Sequence, residues 1–271
     1  MEQHNSWLTL LVNKYLGPYA LALLDALHVH PHDRAVPIPE FVVMGWVVVL
    51  MGIMFVLWLK PRLSVDRPGA TQTVVEMLLS NPLGFGIRDA LDQNSGHHAR
   101  KYLPLVGTIS LFLLASNMLG IVPVFSTPTL HPSVPLACAL ITYLYFNYLG
   151  MKVHGVGGYL KHFAGPVWWI AWLIFPVELF SVTARILSLT MRLFANMFAS
   201  ELIYVKFLEL LMAFSAYVAH KNVLVGGVLY LLPASLPVIF IALHMFVAVV
   251  QAYVFTVVPS IYIGLAVAEE H

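Results

Sequence analysis

Nineteen consecutive residues, FVVMGWVVVLMGIMFVLWL from Phe41 to Leu59, carry no charge. A helix needs about 20 such residues to cross the hydrocarbon layer of a bilayer, whereas a membrane strand needs about half as many and alternates apolar with polar positions. Inside lipid the backbone has to satisfy its own N–H and C=O groups, and an unbroken apolar run assigns that task to a helix. Leu103 to Phe125 and Ser133 to Gly150 read the same way. With 10% charged residues over 271 positions and a mean hydropathy of +0.84, the chain reads as an all-α integral membrane protein with the lipid bilayer as its solvent. A net charge of +1 excludes a basic nucleic-acid surface.

The expected organisation is an external N-terminal segment, 1–40, and a membrane domain, 41–271. The first part holds a weakly amphipathic piece from Trp7 to Leu27, then HVHPHDRAVPIPE, whose prolines stop a helix before the membrane. It lacks a clean apolar core followed by a small-residue cleavage site and is read as retained. Lys14 and Arg34 precede the span 41–59; Lys60, Arg62, Arg67, Arg88, Arg100 and Lys101 follow it. The positive-inside rule then places the N-terminus outside and 60–103 in the cytoplasm, with an interfacial or broken helix at GATQTVVEMLLSNPLGFGIRDAL. Spans over 103–125 and 133–150 flank the external turn STPTLHP, and a cytoplasmic loop carries Lys152 and Lys161. The apolar stretches 163–219 and 223–267 each exceed one perpendicular crossing and form a long inclined C-terminal hairpin. About five to six membrane helices result, and the tail AEEH ends in the cytoplasm.

Charge inside the first of those long stretches points to chemistry. Each residue of an α-helix turns by about 100°, so residues seven apart nearly align. Glu178, Arg185 and Arg192 are spaced by seven; Asn196 lies four past Arg192 and Lys206 fourteen past it. On a continuous helix these share a face, and Glu201, nine past Arg192, lies opposite. An arginine at mid-bilayer costs about 2.5–3.5 kcal/mol on insertion scales, so it turns to a bundle interior or to water and marks an ion path. The plainer alternative is snorkelling near a helix end with Glu178 as ion-pair partner, and for Arg185 the two readings stand level. Arg192, about thirty residues from both Lys161 and Lys221, suits a fixed electrostatic gate, because arginine attracts a carboxylate without itself releasing a proton. His244 and Gln251, again seven apart, lie in the last apolar stretch. A lone intramembrane histidine is more often a satisfied core residue than a ligand, but Glu201 in the neighbouring stretch gives it a partner with which to share a proton.

Other signals are weaker. His28, His30 and His32 alternate in an extended segment, and without a fourth ligand a solvated loop is favoured over a metal site. Trp168, Trp169 and Trp172 fit an interfacial belt. The lone Cys138 fits a buried small residue. No phosphate-binding loop, nucleophile elbow or metalloprotease motif is present, so no cofactor, metal or nucleotide chemistry is expected of the chain.

VELFSVTARILSLTMRLFANMFASELI, then LHMFVAVVQAYVFTVVPSIYIGLAVAEEH, resemble in order the two C-terminal signatures of the a subunit of the F-type ATP synthase membrane sector in its bacterial form; PLVGTISLFLLASNMLGIVP resembles an earlier span. The resemblance covers 35–271 and is most specific over 176–205 and 240–271. It implies a non-catalytic, proton-translocating subunit of a bacterial inner membrane that embraces a rotating c-subunit ring, joins the b-subunit peripheral stalk, and provides two offset half-channels. By matched position, Arg192 is similar to the stator arginine that faces the ring carboxylates. Asn196, Glu201, His244 and Gln251 are similar to residues of the external half-channel, and Glu178 and Arg185 to polar positions of the cytoplasmic one. Ser200 replaces a frequent glycine, Ile186 a frequent proline, and Gly120 an acidic residue of some relatives, so no proton role falls on Gly120. A stand-alone ion-coupled transporter and a purely structural membrane subunit are the competing readings; the first calls for internally repeated halves, which the sequence lacks.

Overall fold

The computed structural model describes residues 6–28, 33–81, 86–95, 99–121, 125–164, 169–221 and 231–267. Among them every regular element is helical. Helix α1 (Trp7–Ala26) precedes α2 (Glu40–Leu59), and two shorter helices follow, α3 (Ala70–Leu79) and α4 (Ile87–Ser95). Then come α5 (Ala99–Leu119), α6 (Ser133–Ala164), α7 (Ala171–Lys221) and α8 (Leu231–Val267). Five segments are long and apolar enough to cross a membrane: Glu40–Arg62, Arg100–Leu119, Ser133–Tyr159, Trp172–His220 and Val238–Val267. Of the stretch expected as 163–219, residues from Ala171 onward form a single helix of 51 residues, α7, and the segment between 60 and 103 holds α3 and α4.

Helices α4 to α8 build the core. Ile87 and Leu91 of α4, Tyr102 and Val106 of α5, Phe146 of α6, Val182 of α7 and Ile263 of α8 form one buried cluster. A second joins Leu113 of α5, Cys138 of α6, Leu193 and Met197 of α7 and Phe255 of α8, where the free thiol of Cys138 serves as a small apolar filler. Lipid tails are as apolar as leucine, so close packing and interhelical hydrogen bonds hold these helices together. Gly264 illustrates the packing: a Cβ there would collide with the Asn94 carbonyl at the end of α4, while Ser95 Oγ donates to the Ser260 carbonyl at 3.2 Å. Asp89 ties down the start of α4 by accepting from the backbone N–H groups of Asn81 at 2.7 Å and Gly86 at 3.1 Å.

Helix α2 buries only Val43, Met44, Val48 and Leu59 and turns Trp46, Leu50, Met54, Leu57 and Trp58 outward, the pattern of a lipid-facing helix at the bundle edge. Its Phe41 ring stacks on His131 at 3.9 Å. Within α6 the backbone leaves helical values at Gly155 (φ 71°, ψ 159°), a region open in practice to glycine alone. The chain folds back there, laying the Tyr159 ring on Gly150 and bringing its hydroxyl to Asn147 Oδ1 at 3.0 Å.

Candidate functional site

Two faces of α7 carry different duties. Val182, Leu189, Leu193 and Met197 are buried against the bundle. Arg192 follows Leu189 by three residues, which turns it about 60° off that stripe, and both it and Asn196 are exposed on the outer flank. No hydrogen bond or ion pair joins Arg192 to another described residue. Ala184, Ser188, Ala195 and Ala199 are exposed on the same side. Their spacings of four, seven and four keep them on one flank, where small side chains let a second helix approach the backbone closely. The carboxylate of Glu201 is also exposed, about 180° around the helix from Arg192.

About two turns before Arg192, Arg185 Nη2 lies 3.9 Å from Glu178 Oε1, and its guanidinium stands 5.3 Å from the centre of the Tyr262 ring. The ion pair is partly exposed, so its own contribution is about 0–1 kcal/mol; the cation–π contact ties it to α8.

The second polar centre lies where α5, α7 and α8 meet. His244 Nε2 is 2.9 Å from the carbonyl oxygen of Asn117. A carbonyl only accepts, so Nε2 carries the proton. His244 Nδ1 is 3.4 Å from Ser200 Oγ, and that hydroxyl donates to the Met197 carbonyl at 2.9 Å. Nδ1 is therefore the ring position open to a further proton, with the serine oxygen as its acceptor. Asn117, wholly buried, also accepts at Oδ1 from Thr129 Oγ1 at 2.6 Å. Gly120 makes room for Thr127 beside the histidine: a Cβ there would collide with the Thr127 hydroxyl, while Nε2 would stand at an ordinary contact distance of 3.5 Å. Down the same α5–α8 seam, Ser110 Oγ meets Thr256 Oγ1 at 2.7 Å, and Gln251 is 4% exposed. Ser116 Oγ, Asn117 Nδ2 and Gln251 Oε1 are buried without a partner among the described residues, leaving hydrogen-bonding capacity unused on α5 and α8.

The structure thus brings together Glu178 with Arg185, and His244 with Ser200, the neighbour of Glu201. Gln251 is placed in the seam, Arg192 and Asn196 outside it. Reading by sequence passed over Asn117, Thr129 and the small-residue flank; an asparagine within an apolar run, and alanine and serine at helical spacing, were the available signals. Of the alternating histidines, His28 has φ 56°, and His30 and His32 lie outside the described residues, as do His97 and His98. Among the described residues no three metal-ligating side chains gather.

Long membrane helices with ionisable side chains on both an outer flank and an inner seam define a multi-pass membrane protein. The ATP synthase A chain family pattern matches residues 42–264. ATP synthase subunit a of Koribacter versatilis is 37% identical over 99% of this chain and 99% of its own length. Subunit a of Solibacter usitatus is 38% identical over 96% of this chain and all of its own, and that of Desulfosudis oleivorans 39% identical over 75% and 78%. The chain belongs to the ATP synthase A chain family.

Proposed function

We propose that this chain is the stator a subunit of a bacterial F-type ATP synthase Fo sector, carrying protons to and from a rotating c-subunit ring through two half-channels. The observation that carries the reading is Arg192: an arginine midway along a membrane span, exposed on a flank of small residues, with no counter-charge among the described residues of its own chain. Leaving it against lipid costs about 2.5–3.5 kcal/mol, so a second chain has to supply the carboxylate. A ring of helices, each bearing one acidic group, fits both the charge and the close approach.

In this mechanism a proton enters along the seam of Gln251, Asn117 and His244, is relayed by His244 Nδ1 and Glu201, and passes by way of Asn196 to a ring carboxylate. The neutral carboxylate then moves into lipid as the ring turns. On its return Arg192 favours the charged form. Opposite charges about 4 Å apart interact by about 4 kcal/mol at an effective dielectric near 20, enough to move a proton off. Glu178 and Arg185 line its exit. The orientation that goes with this has the N-terminus outside, the C-terminus in the cytoplasm and the b-subunit stalk alongside. For Arg185 the contact with Tyr262 favours a bracing role beside the electrostatic one.

The test is ATP-driven proton uptake into vesicles holding the whole synthase. Arg192→Ala is expected to lower coupled uptake at least a hundredfold, equivalent to about 2.7 kcal/mol, and Arg192→Lys to recover little, because an ammonium lacks the planar fork. Coupled uptake unchanged in Arg192→Ala would return the polar stripe to structural packing.

A further inference from the structure

Helix α1 is inside out. Its buried residues are Thr9, Asn13 and Gly17, with Thr9 0% and Asn13 8% exposed, whereas Tyr19 is 75% and Leu23 64% exposed. The buried stripe has a definite partner. Asn13 Nδ2 donates to the carbonyls of Thr9 and Ile38, each at 2.9 Å, and its Oδ1 accepts from the Ile38 N–H at 2.9 Å. The Asn13 amide thus grips the backbone two residues before α2 begins. Pro37 closes over Gly17, where a Cβ would stand 3.5 Å from the proline ring. Three bonds made by one amide, two of them across the chain, hold α1 against the mouth of a membrane span.

The remaining surface is divided by chemistry. At about 100° per residue, Leu11, Tyr15, Tyr19, Ala22 and Leu23 fall on one arc, all exposed. Lys14 and Asp25 are exposed and lie together on its edge. The apolar arc is exposed, and the Asn13–Ile38 clamp holds α1 beside the start of α2, whose outward side is apolar as well. We propose that α1 lies in the membrane interface, its Tyr15–Leu23 arc among the acyl chains of the leaflet where α2 starts and its Lys14–Asp25 edge at the headgroups. An arc of leucine and tyrosine with a charged margin is the composition of a helix at that depth. Helix α1 is then a membrane-surface element, and this holds whichever ions the subunit carries.

The test uses the whole synthase in phosphatidylcholine vesicles, with nitroxide labels placed singly at Lys14→Cys, Tyr19→Cys and Leu23→Cys in a Cys138→Ala background, each assembly checked for ATP-driven proton uptake. Collision with oxygen reports lipid; collision with a water-soluble nickel chelate reports water. Tyr19 and Leu23 are expected to meet oxygen several times more often than Lys14, and the chelate several times less. Chelate access at Tyr19 and Leu23 equal to that at Lys14 would overturn the proposal in favour of a helix in water. Exclusion of both probes would overturn it in favour of a protein chain covering the arc. A label at Asn13→Cys serves as a second variant: by breaking the clamp it should release α1 and raise chelate access at its own position.

Discussion

Asn117 does three things from one buried position: its carbonyl accepts from His244, its Oδ1 accepts from Thr129, and its Nδ2 remains without a partner among the described residues. Removing the Thr129 hydroxyl strands Oδ1 as well. Thr129→Val is therefore expected to destabilise the subunit by about 1–3 kcal/mol, seen as a lower midpoint of heat-induced loss of the detergent-solubilised synthase, and Thr129→Ser to restore it. A valine variant as heat-resistant as the parent would show that the bond contributes nothing. At this scale the sequence was informative about which residues are polar in apolar surroundings and silent about which of them meet. The spacing by seven of Glu178 and Arg185 foretold a shared face, and they do pair. The link from His244 to the main chain of Asn117 spans 127 positions, and no periodicity carries that.

Helix ends and breaks were less legible. Lys152 and Lys161 suggested a loop after Gly150, yet α6 continues past that glycine and turns at Gly155, because the Tyr159 ring finds a seat only where position 150 has no side chain. Two neighbouring glycines should respond oppositely. Gly155→Ala forces a Cβ into a backbone region costing about 1–3 kcal/mol, whereas the space around Gly157 is open and alanine there gains about 0.5–1 kcal/mol of helix preference. Heat-loss midpoints of the two variants, one lower and one equal or higher, check this; equal falls in both would refute the hinge. Helix α1 was illegible for another reason. Amphipathicity reads a polar stripe as the side turned to water, and here Asn13 spends its polarity on the backbone of Thr9 and Ile38 and the Thr9 hydroxyl is spent on the Ser6 hydroxyl, so the apolar side is the outer one.

Across the whole molecule, charge on the outer flank of α7 and polar atoms in the α5–α8 seam lie on different sides of one helix layer. If the small-residue flank faces the ring, Ala195→Cys should react with a membrane-permeant maleimide several times more slowly in the assembled sector than in the detergent-dissociated chain, while Leu187→Cys, exposed farther from Arg192, changes little. Equal rates at Ala195 in both states would place the ring elsewhere. Five spans and the class of the protein were legible because apolar length alone decides them; how α7 lies was not, since a segment of 49 residues permits more than one path. The length nevertheless limits the tilt. A segment of 49 residues is about 73 Å long, and held wholly within a layer of about 30 Å it would lie near 65° from the membrane normal. On an upright helix Glu178 and Arg192 would differ in depth by about 21 Å. At that slant the same interval would become about 9 Å of depth and about 19 Å of sideways displacement, so the proposed ring would meet these charges one after another along an oblique ruler rather than one above the other.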